Sequence, residues 1–304
     1  MSDLLRIGTR GSPLALAQAR ETRQRLMAAL GRAESAFEIV VIKTTGDMVR
    51  DRPLSEIGGK GLFTKELEEA LLESRIDLAV HSMKDMPAQM PKGLEIGAVL
   101  PREDARDAFI SLSAKSLKNL QPGAKLGSSS VRRTAQALRL RPDLVATPFR
   151  GNVETRLQKL REGVADATFL AAAGLRRLGL QAHITSLISI EDMLPAVAQG
   201  AIALQVKHGS GALAQVAKIN HADSNIAVTC ERAFMAALDG SCRTPIAGHA
   251  ILMGGELVFR GEALTLDGEH VFTATRKGPS ADAARMGREA GEEIKTKGGA
   301  LIAY

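Results

Sequence analysis

The chain has 304 residues, 45% of them hydrophobic and 24% charged, enough apolar material for two or three buried cores in a water-exposed protein. Its only cysteines, Cys230 and Cys242, exclude a disulfide framework, and their spacing fits no zinc pattern. The net charge of +6 points to acidic partners, but 3% aromatics and no Trp exclude the stacking platforms of single-strand nucleic-acid binders, so a small polyanionic ligand fits better.

No apolar run reaches membrane-spanning length, and Leu4 to Ile7 is too short and interrupted for a signal-peptide core. The chain therefore reads as cytoplasmic, with neither membrane nor nucleic acid as a partner. Leu4 to Thr9 predicts a strand, and Ser12 followed by Pro13 predicts a capped helix start. Ala15, Ala19, Thr22, Leu26 and Ala29 recur at helical spacing and form the face expected to pack on a sheet. Arg10 then falls at a strand-to-helix turn, beside helix N–H groups that favour anions. Phe37 to Ile42 predicts a second strand. Thr44 to Gly61 has no apolar periodicity and is expected to be a lid or a disordered loop. Its Gly58-Gly59-Lys60-Gly61 lacks the hydroxyl and the glycine spacing of a nucleotide phosphate loop.

A helix from Thr64, with Leu67, Ala70 and Leu71 inward, leads to a strand ending at Leu78, Ala79 and Val80. His81, Ser82, Lys84 and Asp85 follow it, and Pro87 stops the backbone. In an open α/β sheet, ligands bind in the crevice outside the carboxyl ends of the strands. A lysine beside a carboxylate there suits holding an anion while a proton or a developing cation is handled. An ordinary polar exit from a strand has the same composition, so this stretch alone does not decide between the two. The β-α-β-α-β order predicts a parallel sheet.

Leu94 to Leu100 predicts another strand, and Pro101-Arg102-Glu103-Asp104 a hinge into a second α/β unit. After a strand at Lys125 to Gly127, Ser128, Ser129 and Ser130 meet a helix start with Arg132 and Arg133 in its first turn. Positive charge there opposes the helix dipole, so the placement suggests an anion site rather than stabilisation, with a capped helix start carrying solvated arginines as the other reading. Leu144 to Phe149 repeats the design with Arg150, the cap Asn152 and Arg156. Asp166 to Leu170 leads to Ala171-Ala172-Ala173-Gly174, small enough for close backbone approach to a ligand, then to Arg176 and Arg177. Three successive strand ends thus deliver arginine toward one edge.

Pro195 to Ala201 precedes a strand from Ile202 to Val206 that is expected to return to the first sheet, so two α/β lobes joined by two crossing segments would form a clamshell. A helix follows Asn225 and runs to about Leu238. Cys230 sits in its apolar pattern and reads as a buried side chain. Cys242 lies beside Arg243 in the loop from Asp239 to Pro245, either as an activated thiol or as an unreactive loop cysteine. Hairpin turns at Gly254-Gly255 and Asp267-Gly268, and a helix from about Ser280, complete a small α+β domain.

Several segments together resemble the porphobilinogen deaminase (hydroxymethylbilane synthase) family. They are Arg-Ile-Gly-Thr-Arg-Gly-Ser-Pro-Leu-Ala at 6–15, Gly-Gly-Lys-Gly-Leu-Phe at 58–63, His-Ser-Met-Lys-Asp at 81–85 and Ser-Ser-Ser-Val-Arg-Arg at 128–133. Arg-Gly-Asn-Val at 150–153, Ala-Gly-Leu-Arg-Arg-Leu-Gly at 173–179 and Gly-Ser-Cys-Arg-Thr-Pro-Ile at 240–246 extend the likeness over most of the chain. The resemblance implies an α/β fold of two periplasmic-binding-protein-like lobes forming a clamshell, plus a small α+β C-terminal domain. The implied boundaries are 1–100 with 200–220, 101–199, and 221–304.

It also implies a transferase of tetrapyrrole biosynthesis that joins four porphobilinogen molecules head to tail, releasing ammonia each time, on one covalent dipyrromethane per chain, and then hydrolyses the product free. Asp85 matches the catalytic aspartate, and Cys242 the thioether attachment. Lys84, Ser128, Ser129, Ser130, Arg132, Arg133 and Gly174 match cofactor-binding positions. Arg10, Ser12, Lys60, Arg150, Arg156, Arg177 and Gln199 match substrate-binding ones. No metal is implied, and the family implies a monomer. Two positions depart from the pattern: Glu56 stands where many relatives carry a lysine in the lid, and Ala198 replaces a common glycine. The competing expectation is a non-catalytic solute-binding clamshell for a small polycarboxylate, which requires a secretory signal and needs neither Asp85 nor Cys242.

Overall fold

The protein's structure, a computed structural model, describes residues 4–48, 61–240 and 244–302. The described residues group into two units, those up to 103 with 200–225, and 104–199 with those from 226 onward. In chain order the first unit contains β1 (Leu5–Thr9), α1 (Pro13–Leu30), β2 (Phe37–Val41), α2 (Thr45–Met48), α3 (Lys65–Leu72), β3 (Leu78–Ser82) and β4 (Leu94–Val99). The second opens with β5 (Asp107–Ser111), β6 (Lys125–Gly127), α4 (Val131–Leu140), β7 (Val145–Thr147), α5 (Val153–Arg161), β8 (Ala167–Ala171), α6 (Ala172–Arg177) and β9 (Ser186–Leu187). The chain returns to the first unit as β10 (Ile202–Lys207) and α7 (Gly211–Val216). It re-enters the second through α8 (Ala222–Ala237), β11 (Ile246–Met253), β12 (Glu256–Leu264), β13 (Val271–Pro279) and α9 (Ala283–Gly298).

The first sheet has the order β2-β1-β3-β10-β4. β1 pairs in parallel with β2 and β3, whereas β10 runs antiparallel between β3 and β4, so the sheet is mixed rather than wholly parallel. Helices cover both of its faces, which is why the strands read as continuous apolar runs instead of alternating ones. Leu78 and Val80 pack with Ala19 and Leu26 of α1 on one face; Ala79 packs with Leu67, Ala70 and Leu71 of α3 on the other. Each fully buried leucine contributes about 1.5–3 kcal/mol. β3 also runs two residues further than its apolar composition indicates, through His81 and Ser82. On α1, Ser12 Oγ accepts from Ala15 N–H and Pro13 occupies the first turn. Gln18 is buried there, beside the polar cavity, and Ala29 is exposed, so the packed face does not extend to Ala29.

The second unit holds a sheet of order β7-β6-β8-β5-β9 and a three-stranded antiparallel sheet β11-β12-β13. β5, from Asp107, was hidden in the sequence by the charged run before it, and it pairs antiparallel with β8. Residues 172–177 form the short helix α6. The turn between β11 and β12 falls at Gly254 and Gly255, both with positive φ, as a two-residue hairpin turn demands. Cys230 lies on α8 with its side chain buried. Among the described residues, no helix is long and apolar enough to cross a membrane.

Candidate functional site

Because β1 and β3 run parallel, the turns after both open on one edge of the first sheet. The turn after β1 carries Arg10 and Ser12; the turn after β3 is the 3₁₀ segment Met83–Asp85. That segment is anchored by the buried side chains of Met83 and Met86 and by the Met83 N–H, which donates to Ala201 O at 3.0 Å. Asp85 is left exposed on it. Arg10, Ser12, Gln18, Phe63, His81, Ser82 and Asp85 line one cavity. The Arg10 guanidinium lies over the Phe63 ring, 4.1 Å from its centroid, which orients the cation without neutralising it. Gln18 Nε2 donates to Ser82 Oγ at 2.8 Å.

Phe63 is held by the segment preceding it. Gly46 N–H donates to Leu62 O at 2.9 Å, and Thr45 N–H donates to Glu66 Oε1 at 2.8 Å. A Cβ at Gly46 would lie 2.4 Å from the Phe63 ring and 2.7 Å from Leu62 O. Gly46→Ala is therefore expected to push the ring off Arg10 and to lower stability in urea by about 1–3 kcal/mol; an unchanged unfolding midpoint would show that the ring moves freely.

Behind the cavity wall, His81 Nε2 meets Gln205 Oε1 at 2.9 Å, and Gln205 Nε2 donates to Glu68 Oε1 at 3.3 Å. Burial lowers the His81 pKa to about 4 against the opposing Gln205 hydrogen bond, and the Arg10 charge adds to the fall. The folded value lies below the unfolded one of 6.5, so between them only the unfolded chain takes up this proton. Acidification from pH 6.5 to about 4 should thus reduce stability by about 3 kcal/mol through this one ring. His81→Asn should flatten the urea midpoint against pH in that window, and a wild-type curve already flat there would contradict the assignment.

In the second unit, β6, β7 and β8 are also mutually parallel, so the Ser128–Ser130 turn, the Arg150 turn and α6 share one edge. The serines are occupied locally: Ser130 Oγ accepts from Arg133 N–H at 3.4 Å, Ser129 Oγ from Phe149 N–H at 3.0 Å and Ser128 Oγ from Ser130 N–H at 3.1 Å. Gly174 is buried inside α6, and Arg150, Arg156 and Arg177 are partly exposed on this edge.

Arg132 and Arg133 turn inward, onto fully buried Asp107 at the start of β5. Arg133 Nη2 donates to Asp107 Oδ1 at 2.7 Å, and Arg132 Nη2 stands 2.8 Å from Oδ2, off the hydrogen-bonding direction. Arg132 also donates to Leu194 O at 2.8 Å, and Arg133 to Phe169 O at 3.1 Å. Gln199 Nε2 completes the cluster, donating to Asp107 Oδ1 at 2.9 Å and to Ala105 O at 2.7 Å. Burial alone would raise the Asp107 pKa. The two guanidinium charges and the hydrogen bonds from Arg133 and Gln199 instead hold it well below the usual carboxylate range. The preceding residue, Ala198, adopts the left-handed region at φ 59, where glycine is the usual occupant, and its N–H donates to Glu231 Oε2 at 2.6 Å.

The first unit thus gathers Arg10, Ser12 and Asp85, and the second gathers the three serines with Arg132, Arg133 and Gln199. Lys84 lies beside Asp85, partly buried. Lys60, Glu56 and Cys242 lie outside the described residues. Sequence reasoning missed Asp107, Gln18 and the positioning of Phe63. Only the polar Gln18 on an otherwise apolar helix face carried a usable signal.

The family model described as "Porphobilinogen deaminase, dipyromethane cofactor binding domain" matches residues 5–215, and "Porphobilinogen deaminase, C-terminal domain" matches residues 225–296. A porphobilinogen deaminase from Paracoccus denitrificans is 58% identical over 96% of this chain and 93% of its own. The chloroplastic porphobilinogen deaminase of Oryza sativa subsp. japonica is 53% identical over 97% of this chain and 84% of its own. Among solved structures, substrate binding domain 2 of Lactococcus lactis GlnP in open conformation aligns with TM-score 0.42 at 13% identity, over 77% of this chain and 90% of that one. The Bordetella pertussis BvgS periplasmic VFT2 domain aligns with TM-score 0.41 at 15% identity, over 72% and 87%. With two family models spanning most of its length and relatives above half identity, the chain belongs to the porphobilinogen deaminase family.

Proposed function

We propose that the chain condenses four porphobilinogen molecules head to tail with Asp85 as its catalytic carboxylate, and releases hydroxymethylbilane by hydrolysis. The observation that carries this reading is the placement of exposed Asp85 on a firmly anchored turn, lining one cavity with Arg10 and Ser12, in a chain of this family. Porphobilinogen bears an acetate, a propionate and an aminomethyl group. Guanidinium groups are the natural partners of its carboxylates. When the carbon–nitrogen bond breaks, the electron pair leaves with ammonia and the ring is left cationic. Asp85 is a fixed negative charge for that cation, and no reorganisation is needed at the moment of reaction. The next pyrrole then attacks through its α-carbon and loses the proton there.

The dipyrromethane supplies the two primer rings onto which new rings are added. The second unit suits such an anionic group: Arg132 and Arg133 share the one carboxylate of Asp107, and Arg139 lies 4.0 Å from Glu262. Arg132, Arg133 and the serines at 128–130 would hold it, Cys242 would anchor it, and Arg150, Arg156 and Arg177 would take substrate carboxylates. Gln199, which donates to Asp107 Oδ1, would also contact substrate. The same reading makes the protein a cytoplasmic monomer of three domains, 1–100 with 200–220, 101–199 and 221–304, so size-exclusion with light scattering should return the mass of one chain. Incubation with porphobilinogen should release one ammonia per molecule consumed and yield a linear tetrapyrrole. Saturable binding without ammonia release would favour the solute-binding alternative.

A further inference from the structure

We propose that His81 is a second catalytic residue, whose Nδ1 lone pair accepts a hydrogen bond from the substrate's aminomethyl ammonium while that group departs. The inference rests on the condensation reading above and begins from hydrogen-bond direction. Glu68 Oε1 can only accept from Gln205, so the Gln205 amide turns its nitrogen to Glu68 and its carbonyl oxygen to His81. That oxygen needs a donor, which places the ring proton on Nε2. In the neutral ring, Nδ1 then carries a lone pair. Among the described residues no partner takes it, and His81 is one of the residues lining the cavity shared with Asp85 and Arg10.

Neutrality matters to the chemistry. The leaving group must remain an ammonium until the carbon–nitrogen bond breaks, because an unprotonated amine leaves poorly. A second carboxylate would hold the ammonium strongly in the ground state. A weakly basic imidazole accepts a hydrogen bond without removing the proton; the ring's pKa of about 4 is low enough for that. On bond cleavage the electron pair stays on nitrogen, neutral ammonia leaves, and no proton passes through His81.

Two variants separate this role from a structural one. His81→Gln keeps a donor where Nε2 meets Gln205 and loses the acceptor; His81→Asn keeps an acceptor near the Nδ1 position and loses the donor. We expect His81→Gln to lower kcat/KM about ten- to a hundred-fold, the effect of losing a hydrogen bond to a charged group that is already made when the ammonium binds. His81→Asn should retain most of kcat/KM. Full activity in His81→Gln, or an equal loss of kcat/KM in both variants, would overturn the proposal. Should neither variant fold, nitrogen-15 NMR of the wild-type ring decides: a change at Nδ1 on adding porphobilinogen supports the role, and an unmoved Nδ1 resonance contradicts it. Wild-type protein that releases no ammonia would instead remove the underlying condensation reading.

Discussion

Asp85→Asn should lower turnover by on the order of 10²–10³-fold, the usual loss when a preorganised electrostatic stabiliser is removed, and leave porphobilinogen binding nearly intact. The amide is isosteric and the turn that carries it does not depend on the carboxylate: Met83 and Met86 are buried and the backbone of Met83 is tied to Ala201. Geometry therefore survives while the negative charge is lost. Steady-state kinetics with a binding measurement would show kcat falling alone. An equal loss of binding would mean that Asp85 holds the substrate in the ground state; retained turnover would remove it from the chemistry.

Asp107→Asn should have the largest effect on stability. It removes the carboxylate shared by two buried guanidinium groups, Arg132 and Arg133, and leaves an uncompensated buried charge. The expected loss is about 3–5 kcal/mol in urea unfolding, and adding Arg133→Met should recover part of it. The pH dependence has a defined sign. The folded pKa of Asp107 is depressed, so its contribution is complete above the unfolded value near 4 and is lost only as pH falls below it. A single replacement within 1 kcal/mol of wild type would mean that water or backbone carbonyls already satisfy the arginines.

Much of the fold was legible in the sequence because its signals are local. Ser12 and Pro13 mark a helix start, Asn152 marks another, and Gly254-Gly255 marks a hairpin, each by chemistry within a few residues. What sequence could not show depends on pairing across long separations. β10 enters antiparallel beside β3, and nothing in Ile202–Lys207 encodes its direction. Asp107 was absorbed into the charged run beginning at Arg102, although it is the group that orders Arg132 and Arg133. The helix start with two arginines suggests an anion site but gives no sign of the carboxylate, 26 positions before Arg133, that also orders the pair. The edge carrying Arg10 and Asp85 was easier: each follows a strand directly, and the parallel pairing of β1 with β3 brings them to one side.

The central claim, a covalently primed condensing enzyme, is tested most directly by the intact mass of the denatured protein before and after incubation with porphobilinogen. Burial pushes the Cys230 thiol up to about 12, so it is no competing nucleophile. The account predicts a mass excess of two linked pyrrole units on the wild type and on Cys230→Ser, and none on Cys242→Ser. A wild type that stays unmodified after incubation, or an adduct that persists in Cys242→Ser, would contradict it.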